Sequence, residues 1–403
     1  MAHMRLFLAI LLGKIIIKLT RLLKLGGGSA APGLYALKID PELVEKLAKK
    51  IPTNIIITGT NGKTTTARML AHLAKEAGQK VIGNHTGSNL ERGIASVLIS
   101  NYTLYAIRYT LGIWELDESA FNSVVPKIKP DIIIFLNVSR DQLDRYGEVD
   151  KVVNYWCKTL SRLNPKTTIL INADEPDLAK LKDHFKGKVE EFGKKNLKNV
   201  KLNGLAGSSF ELSIVNCQLS INLPLPGMYH IYDALAAITC ALRLNLPVNK
   251  LTNFQPAFGR FEKLPFGYIF LIKNPAGATQ VFETIAPQIK PADRLLLALH
   301  DNIADGRDVS WIWDASFEEF SIFNFQFSIF CSGTRAYDLA VRLKYAGFDP
   351  RQIIIEPDLK KALKEARTGL KGKLFILPTY TAMLELQRIL TKQGLKNHYW
   401  EEN

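Results

Sequence analysis

Short apolar runs alternate with longer amphipathic stretches along much of the chain. In the first half this pattern predicts strands at residues 54–58, 105–111, 132–137 and 168–172, and helices at 65–77 and 150–163. Shorter strands interrupted by polar residues are expected between 183 and 225, before a helix that begins near Tyr232. Strands that alternate with helices are typical of a mostly parallel sheet covered by helices on both faces.

A second alternating block follows Pro265 and predicts a smaller α/β domain. Its strands and helices are expected at 294–299, 327–331, 336–346, 352–356, 359–366, 374–377 and 381–392. A hinge is placed at 253–265, where Pro256, Gly259 and Pro265 interrupt the periodicity. The predicted parts are therefore 1–33, an amphipathic helix with a glycine-rich linker; 34–262, a central domain; and 263–403, a C-terminal domain.

The N-terminal stretch 5–25 is apolar, but Arg5 and Lys14 bracket only eight uncharged residues. That is too few to cross a bilayer core of about 30 Å. At helical spacing, one face carries Lys14, Lys18 and Arg21, and the opposite face carries Ile15, Ile16, Leu19 and Leu22. Two interpretations stay open: a helix packed on the protein's own surface, or a helix resting on an anionic membrane surface.

The charge of the chain narrows its partners. Among 403 residues, 52 are basic and 38 acidic, which leaves a formal net charge of +14. This favours anionic partners such as nucleotides, phospholipid surfaces and pyrophosphate-linked substrates. No segment resembles a nucleic-acid-binding module, so nucleic acid is not an expected partner. The four cysteines are scattered without a CxxC pair, which favours reduced thiols in a cytoplasmic protein.

The most informative string is NIIITGTNGKTTT at 54–66, a β-branched run, a loop with two glycines and then a helical stretch. This order predicts a phosphate-binding loop, because glycine lets backbone N–H groups approach phosphate oxygens at a helix N-terminus. The expected nucleotide-binding residues are Gly59, Thr60, Asn61, Gly62, Lys63, Thr64 and Thr65. Lys63 is expected to bridge the terminal phosphates, and Thr64 to hold Mg²⁺. The GTNGKT spacing is shorter than the general GxxxxGK[ST] pattern.

Phosphate chemistry also needs a carboxylate for the metal. The string WELDE at 114–118 places three carboxylates after an apolar strand, and Glu115 is the predicted Mg²⁺ ligand beside Thr64. Alone, such a cluster is more often a solvated strand end. The string NVSRDQLDRYG at 137–147 follows another apolar strand, and ligand sites of open α/β sheets gather at the carboxyl ends of strands.

In motif order the chain resembles the Mur ligase family. The motifs are GTNGKTTT at 59–66, Glu115, NVSRDQLDRYG at 137–147, NADEP at 172–176, GMYHIYDALAA at 227–237 and FGR at 258–260. The strings KNPAG at 273–277, DNIADGRDVSWIWD at 301–314 and LPTYTAML at 377–384 look like the MurT branch of that family. The resemblance covers about residues 5–392. It implies a central P-loop ATPase domain with a mostly parallel sheet and a Rossmann-like C-terminal domain.

The resemblance also implies a reaction and roles. Mur ligases phosphorylate a carboxylate with ATP and let an amine attack the acyl phosphate. MurT subunits amidate D-glutamate of lipid II to D-isoglutamine, using ammonia from a glutaminase partner, GatD. Glu115 would bind the metal directly or through another ligand, and Arg260 would contact the γ-phosphate. Asn274, His230 and Asp233 would line the nucleotide cleft. Asp314 would complete the glutaminase's catalytic triad across the subunit boundary, with Asp308 as the alternative.

The sequence departs from that family in several places. The four-cysteine zinc ribbon common in MurT proteins is absent between 189 and 227, so no zinc is predicted. His230 and Asp233 stand where the family usually has asparagines near the adenine, and His300 replaces another asparagine. Lys158 lies about where several Mur ligases carry a carbamylated lysine; an ordinary solvated lysine is the other interpretation.

Two other functions stay open from the residues. One is a Mur-type or folylpolyglutamate-type ligase that adds an amino acid without a glutaminase. The other is a non-catalytic, nucleotide-gated scaffold at the membrane, which the altered His230 and Asp233 suggest.

Overall fold

The computed structural model describes residues 2–22, 30–84, 88–102, 109–140, 149–214, 217–256, 259–321 and 327–396. Its helices are α1 (Ala2–Leu22), α2 (Ala31–Ile39), α3 (Leu43–Ala48), α4 (Lys63–Glu76), α5 (Glu91–Ser100), α6 (Phe121–Ile128), α7 (Val149–Leu160), α8 (Lys180–Asp183), α9 (Met228–Arg243), α10 (Pro275–Ile285), α11 (Glu318–Ser321), α12 (Ala336–Tyr345), α13 (Leu359–Arg367) and α14 (Tyr380–Lys392).

The strands follow the same chain order. They are β1 (Thr53–Thr58), β2 (Val81–Gly83), β3 (Leu111–Leu116), β4 (Ile132–Phe135), β5 (Thr168–Asn172), β6 (Lys188–Phe192), β7 (Leu197–Leu202), β8 (Ser208–Ile214), β9 (Cys217–Leu223), β10 (Arg260–Leu264), β11 (Gly267–Phe270), β12 (Arg294–Ala298), β13 (Ile329–Ser332), β14 (Ile353–Ile355) and β15 (Leu374–Pro378).

The first sheet has six strands in the order β2-β3-β1-β4-β5-β6, and every neighbouring pair is parallel. Side chains alternate across β1, so Ile56 joins the core under α2, α3, α5, α6 and α7, whereas Ile55 and Ile57 join the core under α4 and α9. Both faces of β1 are therefore covered, which explains why its sequence is a continuous apolar run.

Two further sheets complete the fold. Strands β7, β8 and β9 form a small antiparallel sheet. The C-terminal sheet has the order β10-β11-β15-β12-β13-β14, in which only the β10–β11 pair is antiparallel. The α/β class with a mostly parallel first sheet, predicted from the alternating pattern, is confirmed.

Two local predictions are changed by the structure. Residues 105–108 of the strand expected at 105–111 lie outside the described part of the chain. The strand β3 begins at Leu111 and contains Glu115, which was expected to follow the strand. The expected hinge at 253–265 contains β10, which forms a hairpin with β11 around Pro265 and Phe266. The predicted domain boundary at 262 falls within β10, and the division into domains stays a prediction.

The N-terminal helix α1 differs from its expected pattern. It packs along α2 and α5, with Ala9 and Ile10 buried. Ile15 and Leu19 were expected opposite the basic face, but both are exposed on the same side as Lys18. Within the described residues, no helix is both long and apolar enough to span a membrane.

Candidate active site

The phosphate-binding loop connects β1 to α4 and lies at the carboxyl edge of the first sheet. Gly62 has φ +87°, a conformation that L side chains rarely adopt. A Cβ at Gly62 would also lie 2.1 Å from Asp233 Oδ1, so the loop backbone passes directly against α9. Helix α4 begins at Lys63, and its first N–H groups therefore follow the loop immediately.

Residues after β4 hold this loop in place. The Asn61 N–H donates to Asn137 Oδ1 at 2.9 Å, and Asn137 Nδ2 donates back to the Asn61 carbonyl at 3.1 Å. The Ser139 N–H donates to Thr60 Oγ1 at 3.0 Å. Asn137 begins the NVSRDQLDRYG string that the sequence places at this edge of the sheet, although no individual role was predicted for it.

Glu115 and Thr64 lie together, as the sequence predicts for a shared site. The Thr64 hydroxyl donates to Glu115 Oε2 at 2.7 Å. Glu115 is 1% exposed, and among the described residues its other oxygen, Oε1, accepts no hydrogen bond. Asn84 positions the carboxylate, because its side-chain amide bonds both the N–H and the carbonyl of Glu115 at 2.8 and 2.9 Å. Burial raises the pKa of Glu115, while the bond from Thr64 and the charge of Arg260 lower it.

Lys63 forms a buried ion pair that was not predicted. Its Nζ lies 3.2 Å from Glu118 Oε2, and both side chains are less than a tenth exposed. The same ammonium donates to the carbonyls of Gly59 and Thr60. Glu118 follows β3 by two residues, and only the tertiary structure shows that its carboxylate turns back to Lys63.

The C-terminal domain closes over the loop. Asn61 and Asn274 exchange side-chain hydrogen bonds of 3.2 and 3.1 Å, and Lys273 Nζ donates to the Thr60 carbonyl at 3.2 Å. Asn274 also caps α10, since its Oδ1 accepts from the Gly277 N–H at 2.8 Å. The structure therefore brings Asn274 to the loop, as the motif order suggests, and adds Lys273.

A cavity opens beside the loop, between α9, β10 and α10. Its lining includes Asn61, Gly62, Thr65, Asn172, Asp174, Glu175, His230, Tyr232, Asp233, Arg260 and Lys273. Three predicted residues, His230, Asp233 and Arg260, thus line one wall with the loop.

His230 is a neutral imidazole. Burial lowers its pKa to about 3, and its Nδ1 lies 2.7 Å from the Pro226 carbonyl. A carbonyl only accepts hydrogen bonds, so Nδ1 carries the proton and Nε2 is left as an acceptor.

Asp233 is neutral for the same physical reason. Burial raises its pKa to about 8, although Arg260 and a hydrogen bond with Thr66 lower it. At neutral pH the carboxyl therefore holds a proton and can donate a hydrogen bond. Glu175 resembles it, since burial and the charges of Asp177 and Asp174 raise its pKa to about 7. His230 and Asp233 are therefore neutral polar groups near the positive charge of Arg260.

Asp314 lies at a different place, at the end of the turn Ser310–Trp313. Its Oδ2 accepts from Arg140 Nη1 at 2.6 Å, and both side chains are a little under half exposed. Asp308 instead accepts from the Ser310 N–H at 2.8 Å, at the start of that turn. Both carboxylates are exposed, so the choice between these two alternatives stays a prediction.

Other predicted residues have varied positions. Residues 141–147 of the NVSRDQLDRYG string lie outside the described residues. Lys158 is exposed on α7, with its Nζ 5.5 Å from the Tyr155 ring. His300 is buried at the carboxyl end of β12, where its Nδ1 lies 3.3 Å from Thr381 Oγ1 and its Nε2 3.6 Å from Glu385.

Two observations bear on metals and thiols. Over the described ranges, no three His, Cys, Asp or Glu side chains are grouped so as to hold a metal ion. The absence of zinc stays a prediction. The cysteines whose side chains are described, Cys157, Cys240 and Cys331, are buried free thiols.

Comparison with known proteins identifies the family. Residues 57–241 match the Mur ligase middle domain, and residues 271–383 match the MurT ligase C-terminal domain. The lipid II isoglutaminyl synthase (glutamine-hydrolyzing) subunit MurT of Staphylococcus aureus strain COL is 30% identical, over 91% of this chain and 93% of that protein. The chain belongs to the MurT family.

Solved structures agree on the fold of this MurT family member. MurF from Acinetobacter baumannii has a TM-score of 0.73 at 18% identity, covering 91% of this chain and 81% of MurF. Mycobacterium tuberculosis folylpolyglutamate synthase, solved with ADP, has a TM-score of 0.68 at 16% identity, covering 86% and 92% of the two chains. The predicted Mur ligase fold is therefore confirmed, and the relative named as a MurT subunit confirms the predicted ligase class.

The raised pKa of Asp233 predicts that the stability of the native state depends on pH. Native Asp233 keeps its proton up to about pH 8, whereas the unfolded chain releases it near the ordinary pKa of 3.8. Between these values the native state binds more protons, so this carboxyl lowers stability progressively as pH rises. In urea unfolding across this range, the free energy of unfolding of Asp233→Asn minus that of the parent should increase towards pH 8 and then level off.

Asp308→Asn is the matched control. Hydrogen bonding to Ser310 lowers the pKa of Asp308, so its contribution is complete above about pH 4. The free energy of unfolding of Asp308→Asn minus that of the parent should therefore not change with pH over the same range. If this difference for Asp233→Asn also did not change with pH, the prediction that native Asp233 is protonated at neutral pH would be contradicted.

Proposed function

We propose that the chain is the synthetase subunit of a two-protein enzyme that amidates the α-carboxylate of D-glutamate in lipid II, giving D-isoglutamine. Its S. aureus relative carries the name of that enzyme's MurT subunit. The observation that carries the chemistry is the hydrogen bond from Thr64 to the buried Glu115, beside Lys63 and at the end of a loop that Lys273 also contacts. The enzyme would work at the cytoplasmic face of the membrane, where its lipid-linked substrate is anchored.

ATP is the proposed phosphoryl donor. The related folylpolyglutamate synthase was solved with ADP. In this chain the loop N–H groups and the start of α4 suit the phosphates, and Lys63 and Arg260 would balance the negative charge that develops during transfer. Neutral Asp233 and His230 Nε2 would supply a hydrogen-bond donor and an acceptor for the base or ribose.

Mg²⁺ fits the residues present. The buried Glu115 Oε1 lacks a hydrogen-bond partner within the described part of the chain, and Thr64 Oγ1 lies next to that carboxylate. Both are hard oxygen donors, which this ion prefers, and it needs few protein ligands when phosphates supply the others. Bound there, Mg²⁺ would neutralise charge on the phosphate oxygens.

The proposed reaction has two steps. A carboxylate oxygen of the substrate attacks the γ-phosphorus, and the bond to the β–γ bridging oxygen breaks, giving an acyl phosphate and ADP. Ammonia then attacks the acyl carbon, phosphate leaves, and the nitrogen loses a proton to become the amide. The chain's part is to orient the phosphates and to stabilise the developing charge through Lys63 and Arg260.

Ammonia is proposed to come from a GatD-like glutaminase that docks near Asp314. Beside this half-exposed carboxylate, Trp313 is 49% exposed and Tyr345 is 73% exposed, with ring centroids 5.6 Å apart. On α12, Tyr337 and Val341 are also exposed at the same helical spacing as Tyr345. Exposed aromatic groups of this kind are typical anchors of protein interfaces. Asp314 would then orient the glutaminase's catalytic histidine.

The decisive experiment compares two nitrogen sources. Parent protein with lipid II, ATP and Mg²⁺ should form the amide from ammonium alone, and from glutamine only when the glutaminase is present. Asp314→Asn should keep the ammonium-dependent rate and lose at least about 10²-fold of the glutamine-dependent rate, because the triad histidine loses its orienting group. Asp308→Asn should keep both the ammonium-dependent and the glutamine-dependent rate. The amide product is measured by mass spectrometry.

Lys63→Ala separates this proposal from its rivals. It should abolish both activities, because the γ-phosphate loses its cation. Equal ATP turnover in Lys63→Ala and the parent would favour a non-catalytic scaffold. Incorporation of an amino acid instead of ammonia would favour a folylpolyglutamate-type ligase.

The contact between Asn61 and Asn274 predicts a selective loss of nucleotide affinity. Asn274→Ala removes the cap of α10 and the bonds to the loop, so it should lower stability by about 1 kcal/mol and weaken ADP binding by about tenfold. Asp358→Ala removes the equivalent cap of α13, where Oδ1 accepts from the Lys361 N–H at 2.9 Å. Asp358→Ala should lower the free energy of unfolding by a similar amount but leave the ADP affinity, measured by calorimetric titration, unchanged. If both variants lost the same affinity for ADP, Asn274 would have no specific role at the nucleotide.

The aromatic surface predicts where the partner docks. Tyr345→Ala should weaken binding of the glutaminase by about 2 kcal/mol, or about 30-fold, measured by titration of the two purified proteins. Tyr155→Ala is the control, since Tyr155 is 52% exposed on α7, in the other domain. Unchanged affinity in Tyr345→Ala would place the interface elsewhere.

A further inference from the structure

Helix α1 is fixed to the protein along one side. Ala9 is fully buried and Ile10 nearly so, and a Cβ on Gly13 would lie 2.9 Å from the Ile99 side chain of α5. Lys14 Nζ donates to the Tyr102 carbonyl at 2.6 Å, just after α5. The other side of α1 therefore points away from the protein in a defined orientation.

That outward side is apolar. Its large hydrophobic residues are between 45% and 72% exposed, namely Phe7, Leu8, Leu11, Ile15, Leu19 and Leu22. They recur at spacings of three and four, so they fall on one arc of the helix. At a rise of 1.5 Å per residue, the strip from Phe7 to Leu22 is about 23 Å long. Soluble proteins seldom leave a continuous apolar surface of this size uncovered.

The charges around the strip identify what covers it. Residues 1–39 include six basic residues, Arg5, Lys14, Lys18, Arg21, Lys24 and Lys38, and no acidic residue. Lys14 and Lys18 are exposed, and helical spacing puts them along one edge of the strip and the exposed Arg5 along the other. An apolar strip edged by basic residues is complementary to anionic headgroups above acyl chains.

We propose that α1 is an interfacial helix that docks the protein on an anionic bilayer surface, with the strip from Phe7 to Leu22 in the headgroup–acyl boundary. A protein partner is the less suitable occupant, since the cores of protein interfaces are depleted in lysine and this segment offers no acidic group for a mixed polar rim. The inference goes beyond the proposed amidation and stands on α1 alone.

The test measures binding of the full-length chain to vesicles without nucleotide or lipid-linked substrate. The parent should sediment with phosphatidylglycerol vesicles and not with phosphatidylcholine vesicles, and binding should fall as salt rises from about 0.1 M to about 1 M. Arg5→Gln with Lys18→Gln should weaken binding about 25-fold, or about fivefold per charge. Leu11→Gln with Ile15→Gln should weaken it at least about tenfold.

Leu202→Gln is the control, because Leu202 is 55% exposed on β7, away from α1. It should bind vesicles like the parent, and circular dichroism should show all variants equally folded. The proposal is overturned if the parent does not bind phosphatidylglycerol vesicles, or if the Leu11 and Ile15 double variant binds as well as the parent. Protection of α1 from hydrogen exchange by the glutaminase, without vesicle binding, would assign the strip to a protein instead. Amidation of a soluble substrate analogue is measured separately, so loss of that activity bears only on the proposed reaction.

Discussion

The parallel register of β1 with β3 and β4 is the constraint on which the site depends. Ile57 pairs with Glu115, and Thr58 pairs with Phe135, so the three strands end at one edge of the sheet. A slip of one residue in β3 would turn Glu115 to the opposite face. Trp114 opposes that slip, because its fully buried indole donates to Asn54 Oδ1 at 2.9 Å. The Glu115 carboxylate is thus positioned by its buried neighbour Trp114.

The second constraint is that the site needs both large sheets. The loop after β1 supplies the backbone donors, but Lys273 and Asn274, which follow β11, bond to that loop from the C-terminal domain. The Arg140–Asp314 pair is a second bridge, between a segment that follows β4 and the turn beside α12. Asn137, which bonds to the loop after β1, and Arg140, which bonds to Asp314, are three residues apart in the same segment.

Predictions from the sequence were most accurate for structural features that depend on residues adjacent along the chain. The strand, loop and helix at β1 and α4, and the strand β5, were predicted correctly because their signals follow one another directly along the chain. The ends of β3 were not predicted from the sequence because they are set by pairing with β1. Strand β10 was not predicted because it forms through its hairpin with β11. Glu118, Asn137 and Lys273 stand in strings that the sequence marks, but their bonding partners are distant along the chain. Their roles arise only where distant segments meet at one sheet edge.

The ion pairs Arg140–Asp314 and Lys63–Glu118 differ in how much free energy is needed to separate them. The Arg140–Asp314 pair is nearly half exposed, and such pairs contribute only about 0–1 kcal/mol. Asp314 can therefore leave Arg140 for a group on a docked partner at little cost. The Lys63–Glu118 pair is buried, and removing one member of a buried pair costs about 3–5 kcal/mol. Lys63 will thus leave Glu118 only for a ligand with dense negative charge, which favours a polyphosphate over a singly charged anion.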